Sequence, residues 1–226
     1  MKKSIQWCKA SLGAMLLLAA AASPAATLTV DPGASWLGYM NVFNLPSDGG
    51  AFQFGSSWGT SDLRASFSGD TLTLAPNTIG DLAAYWYIGG GAPGAPGNKI
   101  MEANFYQETT GPLSGQMVTF TGTVLANSLT TSHTAVAFIK DFAPDYSSSV
   151  TTTVPLTPGM FSVSLATIND PARHVQFGFQ MTGVNVWATD VGPFGSVQIA
   201  PIPEPTVLSL VAVGLTGLLL RKRFEV

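Results

Sequence analysis

The chain has 226 residues, a formal net charge of −3, 46% hydrophobic and 10% charged side chains, and a mean hydropathy of +0.30. That hydrophobic share supports a buried core and excludes a wholly disordered chain, and the length allows one or at most two domains. Six of the ten Lys and Arg residues lie in the first nine and last six positions. The stretch 26–200 therefore holds only Arg64, Lys99, Lys140 and Arg173 against eleven carboxylates, a net −7, and four scattered cations make no basic face, which excludes nucleic acid as a partner.

Lys2, Lys3 and Lys9 precede an apolar run over 12–22, and Ser23-Pro24-Ala25-Ala26 follows it. A basic start, a short apolar run and small residues at the −3 and −1 positions spell a signal peptide over 1–25, cut before Ala26 by signal peptidase. The run is about half of the roughly 20 apolar residues that span a bilayer as a helix. Cys8 is the only cysteine and precedes the run, so it is not a lipoprotein cysteine. The segment after residue 25 then has no disulfide, no thiol nucleophile and no cysteine metal ligand.

From 26 to 200 the chain reads as short strands between Gly, Pro, Asn and Asp clusters. Strands are expected at 51–54, 63–67, 71–74, 84–88, 100–107, 116–124, 134–140, 150–154, 159–165, 175–182 and 195–199. Phe67 to Leu74 reads as a hairpin turning at Gly69-Asp70. In 117–124, Val118, Phe120, Gly122 and Val124 share one face, and Thr119, Thr121 and Thr123 the other. Outside the two ends no helical repeat persists for three turns. The expectation is an all-β, two-sheet antiparallel sandwich of jelly-roll type over 26–200, flanked by the N-terminal signal helix and a C-terminal transmembrane helix.

Within that domain the chemistry is sparse. His133 and His174 show no HxH, HxxxH or HExxH spacing, and no GxSxG elbow supports a triad. Glu102 and Glu108 share strand parity but stand about 20 Å apart, too far for a glycosidase pair. Asp141 and Asp145 are read as loop residues. They are the candidates for a structural calcium ion held with backbone carbonyls, and no other cofactor is expected. The segment 89–98 lacks the Gly-Lys-Ser/Thr ending of a phosphate loop, and its prolines remove amide donors. It follows Tyr85-Trp86-Tyr87, where alternation puts Tyr85 and Tyr87 on one face and Trp86 on the other. An exposed ring stacks on a sugar face while a neighbouring amide binds its hydroxyls. Trp58, Tyr85, Trp86, Tyr87, Asn98 and Trp187 are therefore the candidate ligand-binding residues, with Trp36 and Tyr146 as further aromatic candidates.

At the C-terminus, Pro203-Glu204-Pro205 precedes fifteen uncharged residues, 206–220, and then Arg221, Lys222 and Arg223. As a helix that segment covers about 22 Å, short for a hydrocarbon core of roughly 30 Å unless Arg221 snorkels or the bilayer thins. The basic cluster stays cytoplasmic by the positive-inside rule, the orientation the signal peptide also sets. The order Pro-Glu-Pro, apolar helix, basic tail over 201–226 resembles the PEP-CTERM sorting signal of Gram-negative bacteria. The resemblance implies that Pro203, Glu204 and Pro205 are the recognition motif and Arg221, Lys222 and Arg223 the stop-transfer cluster. It further implies transient anchoring in the inner membrane, then processing by an exosortase and delivery to the cell surface or exterior.

The segments Asn104 to Glu108, Leu113 to Phe120, Val175 to Gln180 and Gly195 to Ile199 resemble jelly-roll sandwiches of the carbohydrate-binding-module kind. The two resemblances together imply a non-enzymatic protein of the biofilm or exopolysaccharide matrix, the sorting signal giving the setting and the sandwich giving polysaccharide as its partner, with no catalytic residues. The alternatives are a structural matrix protein acting through protein contacts and, third, a glycan-active hydrolase or lyase.

Overall fold

The computed structural model of the chain describes residues 25–202. The expected signal peptide up to residue 24, the Pro203-Glu204-Pro205 motif, the uncharged segment 206–220 expected to be a helix and the Arg221, Lys222, Arg223 cluster lie outside the described residues. Among the described residues no helix is long and apolar enough to cross a membrane.

Alternating apolar residues make strands here because each sheet has one face on a common core. The clearest case is a strand at Met117–Asn127, in which Val118, Phe120 and Val124 are buried. Its threonines face outward: Thr119 Oγ1 bonds Ser164 Oγ at 2.8 Å, and Thr121 Oγ1 donates to the Leu28 carbonyl at 3.2 Å. In chain order the strands are β1 (Ala25–Thr29), β2 (Leu37–Asn44), β3 (Phe52–Ser57), β4 (Ala65–Ser68), β5 (Thr71–Leu74) and β6 (Lys99–Thr110). They continue with β7 (Met117–Asn127), β8 (His133–Phe142), β9 (Ser149–Pro155), β10 (Gly159–Ala166), β11 (His174–Val184) and β12 (Val197–Ala200). The expected hairpin is β4–β5, turning through Gly69 at φ +56°, a left-handed conformation that glycine adopts without a Cβ clash.

Two six-stranded sheets result. One runs β3-β2-β6-β11-β8-β9, antiparallel throughout. In the other, β7 takes β10 along one edge, while its second edge is shared by β1, parallel at Met117–Thr121, and β12, antiparallel at Thr123–Asn127; β5 and β4 follow β12. From β5 to β12 the chain winds as two interleaved sets of four, β5-β12-β7-β10 and β6-β11-β8-β9. Every step crosses to the opposite sheet except the β8–β9 hairpin.

Aromatic rings from both sheets close the core. Phe120 lies 5.5 Å from Phe161, 5.4 Å from Phe177 and 5.4 Å from Phe179, and Trp36 stacks on Phe105 at 4.5 Å. Burying such side chains contributes about 1.5–3 kcal/mol each.

Three local readings are corrected. β1 and β2 were not anticipated. Residues 84–88 are not a strand: Trp86 and Tyr87 both donate to the Ala83 carbonyl, at 3.0 and 3.3 Å, which closes a turn. Asp141 is on β8 rather than in a loop, with 1% of its surface exposed.

Candidate ligand-binding groove

The outer face of the β3-β2-β6-β11-β8-β9 sheet carries polar and aromatic side chains. Even-numbered residues of β6, β8 and β11 and odd-numbered residues of β2 point to it, and register aligns them in rows. One row reads Glu108, Gln176, Lys140 across β6, β11 and β8. The next reads Leu37, Tyr106, Gly178, Phe138, and a third reads Tyr39, Asn104, Gln180. From these rows Glu108, Gln176, Lys140, Tyr106, Tyr39 and Asn104, together with Asn41, Ser57, Phe142 and Tyr146, border a groove of about 530 Å³.

Groups on the groove floor are buried although they face away from the core: Asn104 is 3% exposed, Tyr106 and Gln176 8%. Buried polar groups need hydrogen-bond partners, and here they bind one another. Asn41 Nδ2 donates to Glu102 Oε1 at 2.8 Å, and Asn104 Nδ2 reaches the Glu102 carbonyl at 3.1 Å and Oε1 at 3.4 Å. This turns the Asn104 side-chain oxygen toward Lys140, whose Nζ donates to it at 2.8 Å and to Gln180 Oε1 at 3.4 Å. The ammonium also lies 4.3 Å above the Phe138 ring, a cation–π arrangement. Burial pulls the Lys140 pKa down, and the negative charge of Glu102 partly offsets that.

At the other end, Glu108 accepts from Gln176 Nε2 at 2.6 Å and from the Tyr146 hydroxyl at 2.9 Å. Tyr146 crowns the β8–β9 turn at φ +58°, a conformation disfavoured for a bulky side chain. The turn holds it there: its N–H donates to the Ala143 carbonyl at 2.8 Å, and its ring stacks on His174 at 4.4 Å with 4° between planes. His174 is in turn fixed by Thr110 Oγ1 at 2.7 Å and the Pro144 carbonyl at 3.2 Å. Partial desolvation, then the hydrogen bond to Glu108, pushes the Tyr146 phenol up to about 12. The Tyr106 phenol is raised by burial and by Glu108. Both hydroxyls therefore stay protonated and can donate at neutral pH. The groove thus combines ring faces, amides, neutral phenols, one carboxylate and one ammonium.

The sequence-predicted residues lie elsewhere, apart from Tyr146. Tyr87 is fully buried, its hydroxyl donating to the Ile79 and Val186 carbonyls at 2.8 and 3.2 Å and accepting from the Ile79 N–H at 3.1 Å. Trp187 packs edge-on to it at 5.2 Å. Trp86 is half-buried between Tyr85 and Phe54, and Asn98 spends its amide on the Ala84 and Tyr85 carbonyls at 3.1 and 3.2 Å. Trp58 is half-buried with Nε1 bonded to Ser56 Oγ at 2.9 Å. Tyr85 alone of the four named rings Trp58, Tyr85, Trp86 and Tyr87 is exposed, with Lys99 Nζ 4.3 Å over it.

Asp141 and Asp145 do not converge. Asp141 accepts from Arg173 Nε at 2.8 Å and from the Ile168 N–H at 2.7 Å, while Asp145 binds the N–H and hydroxyl of Ser147 at 3.0 and 2.7 Å. Among the described residues no group of three or more His, Cys, Asp or Glu could hold a metal ion. Glu102 and Glu108 share a face of β6 as expected, and only Glu108 lines the groove.

No protein-family model, curated protein or solved structure matches the chain.

Proposed function

We propose that the chain is an exported, non-catalytic protein of the cell surface or extracellular matrix whose sandwich binds polysaccharide in the groove over β2, β6, β11 and β8. The interleaved winding of β5 to β12 supports a jelly-roll reading of the sandwich. The observation that carries the binding reading is the groove lining itself. Tyr39, Tyr106 and Tyr146 supply ring faces, and Glu108 with the side-chain oxygens of Asn41 and Gln176 supplies acceptors suited to sugar hydroxyls. One carboxylate in the lining, rather than two facing each other, favours binding over two-carboxylate hydrolysis.

Electrophoresis of the full chain, in detergent, through gels containing individual polysaccharides tests this reading. Retardation by at least one glycan, lost in Tyr106→Ala, is the expected result; migration unchanged by every glycan, including exopolysaccharide from the producing cells, overturns it.

The export half rests on the sequence. Signal peptidase acts first, the 206–220 helix holds the chain in the inner membrane, and an exosortase reads Pro203-Glu204-Pro205. Two prolines keep that segment extended and open to a processing enzyme. Glu204→Ala is expected to leave the protein in the membrane fraction on immunoblots, and unchanged release counts against the motif.

A further inference from the structure

We infer that the groove selects acidic polysaccharide, with a uronate-type carboxylate of the ligand seated on Lys140. The inference rests on the carbohydrate-binding reading above and names its substrate class. The Lys140 ammonium borders the groove with no carboxylate partner: among the described residues the one ion pair is Arg173–Asp141. Its protein contacts are neutral, the oxygens of Asn104 and Gln180 and the face of Phe138. Two of its three N–H groups are taken, one at 2.8 Å and one at 3.4 Å, which leaves a donor for a bound anion.

The nearby carboxylates make no direct contact with it, although the charge of Glu102 reaches it through space. Asn104 stands between that carboxylate and the ammonium. Glu108 lies in the same row but on the far side of Gln176, two strand spacings from Lys140, or about 10 Å between backbones. Both Glu108 oxygens already accept a hydrogen bond, from Gln176 and from Tyr146. A partly desolvated ammonium facing neutral groups gains most from a ligand that brings its own negative charge, because charge-assisted hydrogen bonds are about twice as strong as neutral ones.

The geometry also gives the ligand a direction. A sugar with its carboxylate on Lys140 lies along the row toward Glu108, whose remaining acceptor capacity meets hydroxyls, and the flanking Tyr39 and Tyr106 are placed for its ring face. The domain's net −7 opposes a long polyanion at a distance. At physiological ionic strength that repulsion is screened beyond about 8 Å, so selection is a property of the groove and is best read with short ligands.

The experiment is calorimetric titration of the full chain, in detergent at physiological salt, with trisaccharides of galacturonic acid and of galactose, which differ in the carboxylate. The uronate is expected to bind at least tenfold more tightly. In Lys140→Met, which keeps the side-chain stem, the ratio of uronate to galactose affinity is expected to fall to about one whatever the absolute galactose affinity, and Lys140→Arg is expected to retain the preference. Equal affinities in the wild type, or an undiminished uronate preference in a folded Lys140→Met, overturn the inference and leave the carbohydrate reading standing. The wild-type comparison decides even where the Met variant does not fold. Absence of binding to either sugar overturns the inference, and the glycan gels then decide the parent reading separately.

Discussion

Asp141→Ala is expected to lower the unfolding free energy by about 3–5 kcal/mol, the effect of removing one partner from a buried ion pair. Asp141 is 1% exposed and three bonds converge on it. Arg173 Nε donates to Oδ1 at 2.8 Å, the Ile168 N–H donates to Oδ2 at 2.7 Å, and Arg173 Nη2 donates to the backbone carbonyl at 2.7 Å. These bonds tie the β10–β11 loop to the end of β8. Alanine leaves a guanidinium with its main counter-charge gone and a backbone N–H without its acceptor, and neither loss is recovered by packing. For a domain of this size the change corresponds to a Tm lower by about 10 °C, measured by circular dichroism. A variant melting within 1–2 °C of the wild type would show that the pair contributes little. Calcium separates this role from the metal site expected from sequence. Because both Asp141 oxygens are engaged by Arg173 and Ile168, millimolar calcium or its chelation should leave the wild-type Tm unchanged.

The fold was legible where one strand face meets the core and the other meets water. β7 has that pattern without interruption, and β4–β5 adds a turn whose glycine takes a left-handed φ. β2 was hidden because both of its faces are occupied: Met40 and Val42 point into the core, while Tyr39 and Asn41 border the groove, so no polar face alternates cleanly with the apolar one. β1 lies against the region that reads as a signal peptide, and targeting segments mask the structure that follows them. The aromatic run at 85–87 mimicked a strand by composition. Tyr87 instead turns inward, where three backbone groups satisfy its hydroxyl, two on Ile79, eight residues away, and one on Val186, ninety-nine residues away.

The groove was partly visible. Glu102, Asn104, Tyr106 and Glu108 alternate with apolar residues along β6 and so mark a polar face, and Tyr146 was among the aromatic candidates. What joins them into a site is non-local register. Tyr39, Gln176 and Lys140 reach the same surface only because β2, β11 and β8 pair around β6 as they do, and spacing within any one segment carries no trace of that.

The centre of that register supplies the second large effect. Gly178→Ala is expected to destabilise the domain by about 3 kcal/mol, the upper part of the range for overpacking, and to abolish glycan binding. A Cβ on Gly178 would lie 2.2 Å from the Phe105 carbonyl oxygen and 2.7 Å from the Tyr106 Cα. Both are backbone atoms of β6, so no side-chain rotation relieves the overlap and the β6–β11 ladder itself has to open. The same two strands carry Phe105, Phe177 and Phe179 into the core and Asn104, Tyr106 and Gln176 to the groove. One methyl group therefore disturbs both faces at once. Gly80→Ala is the matched control, since nothing lies within 4 Å of its Cβ position, and it should change stability by less than about 0.5 kcal/mol. Urea unfolding of the two variants side by side checks the difference. If Gly178→Ala unfolds with the control, β6 and β11 do not approach this closely, and the rows that align Glu108, Gln176 and Lys140 lose their basis.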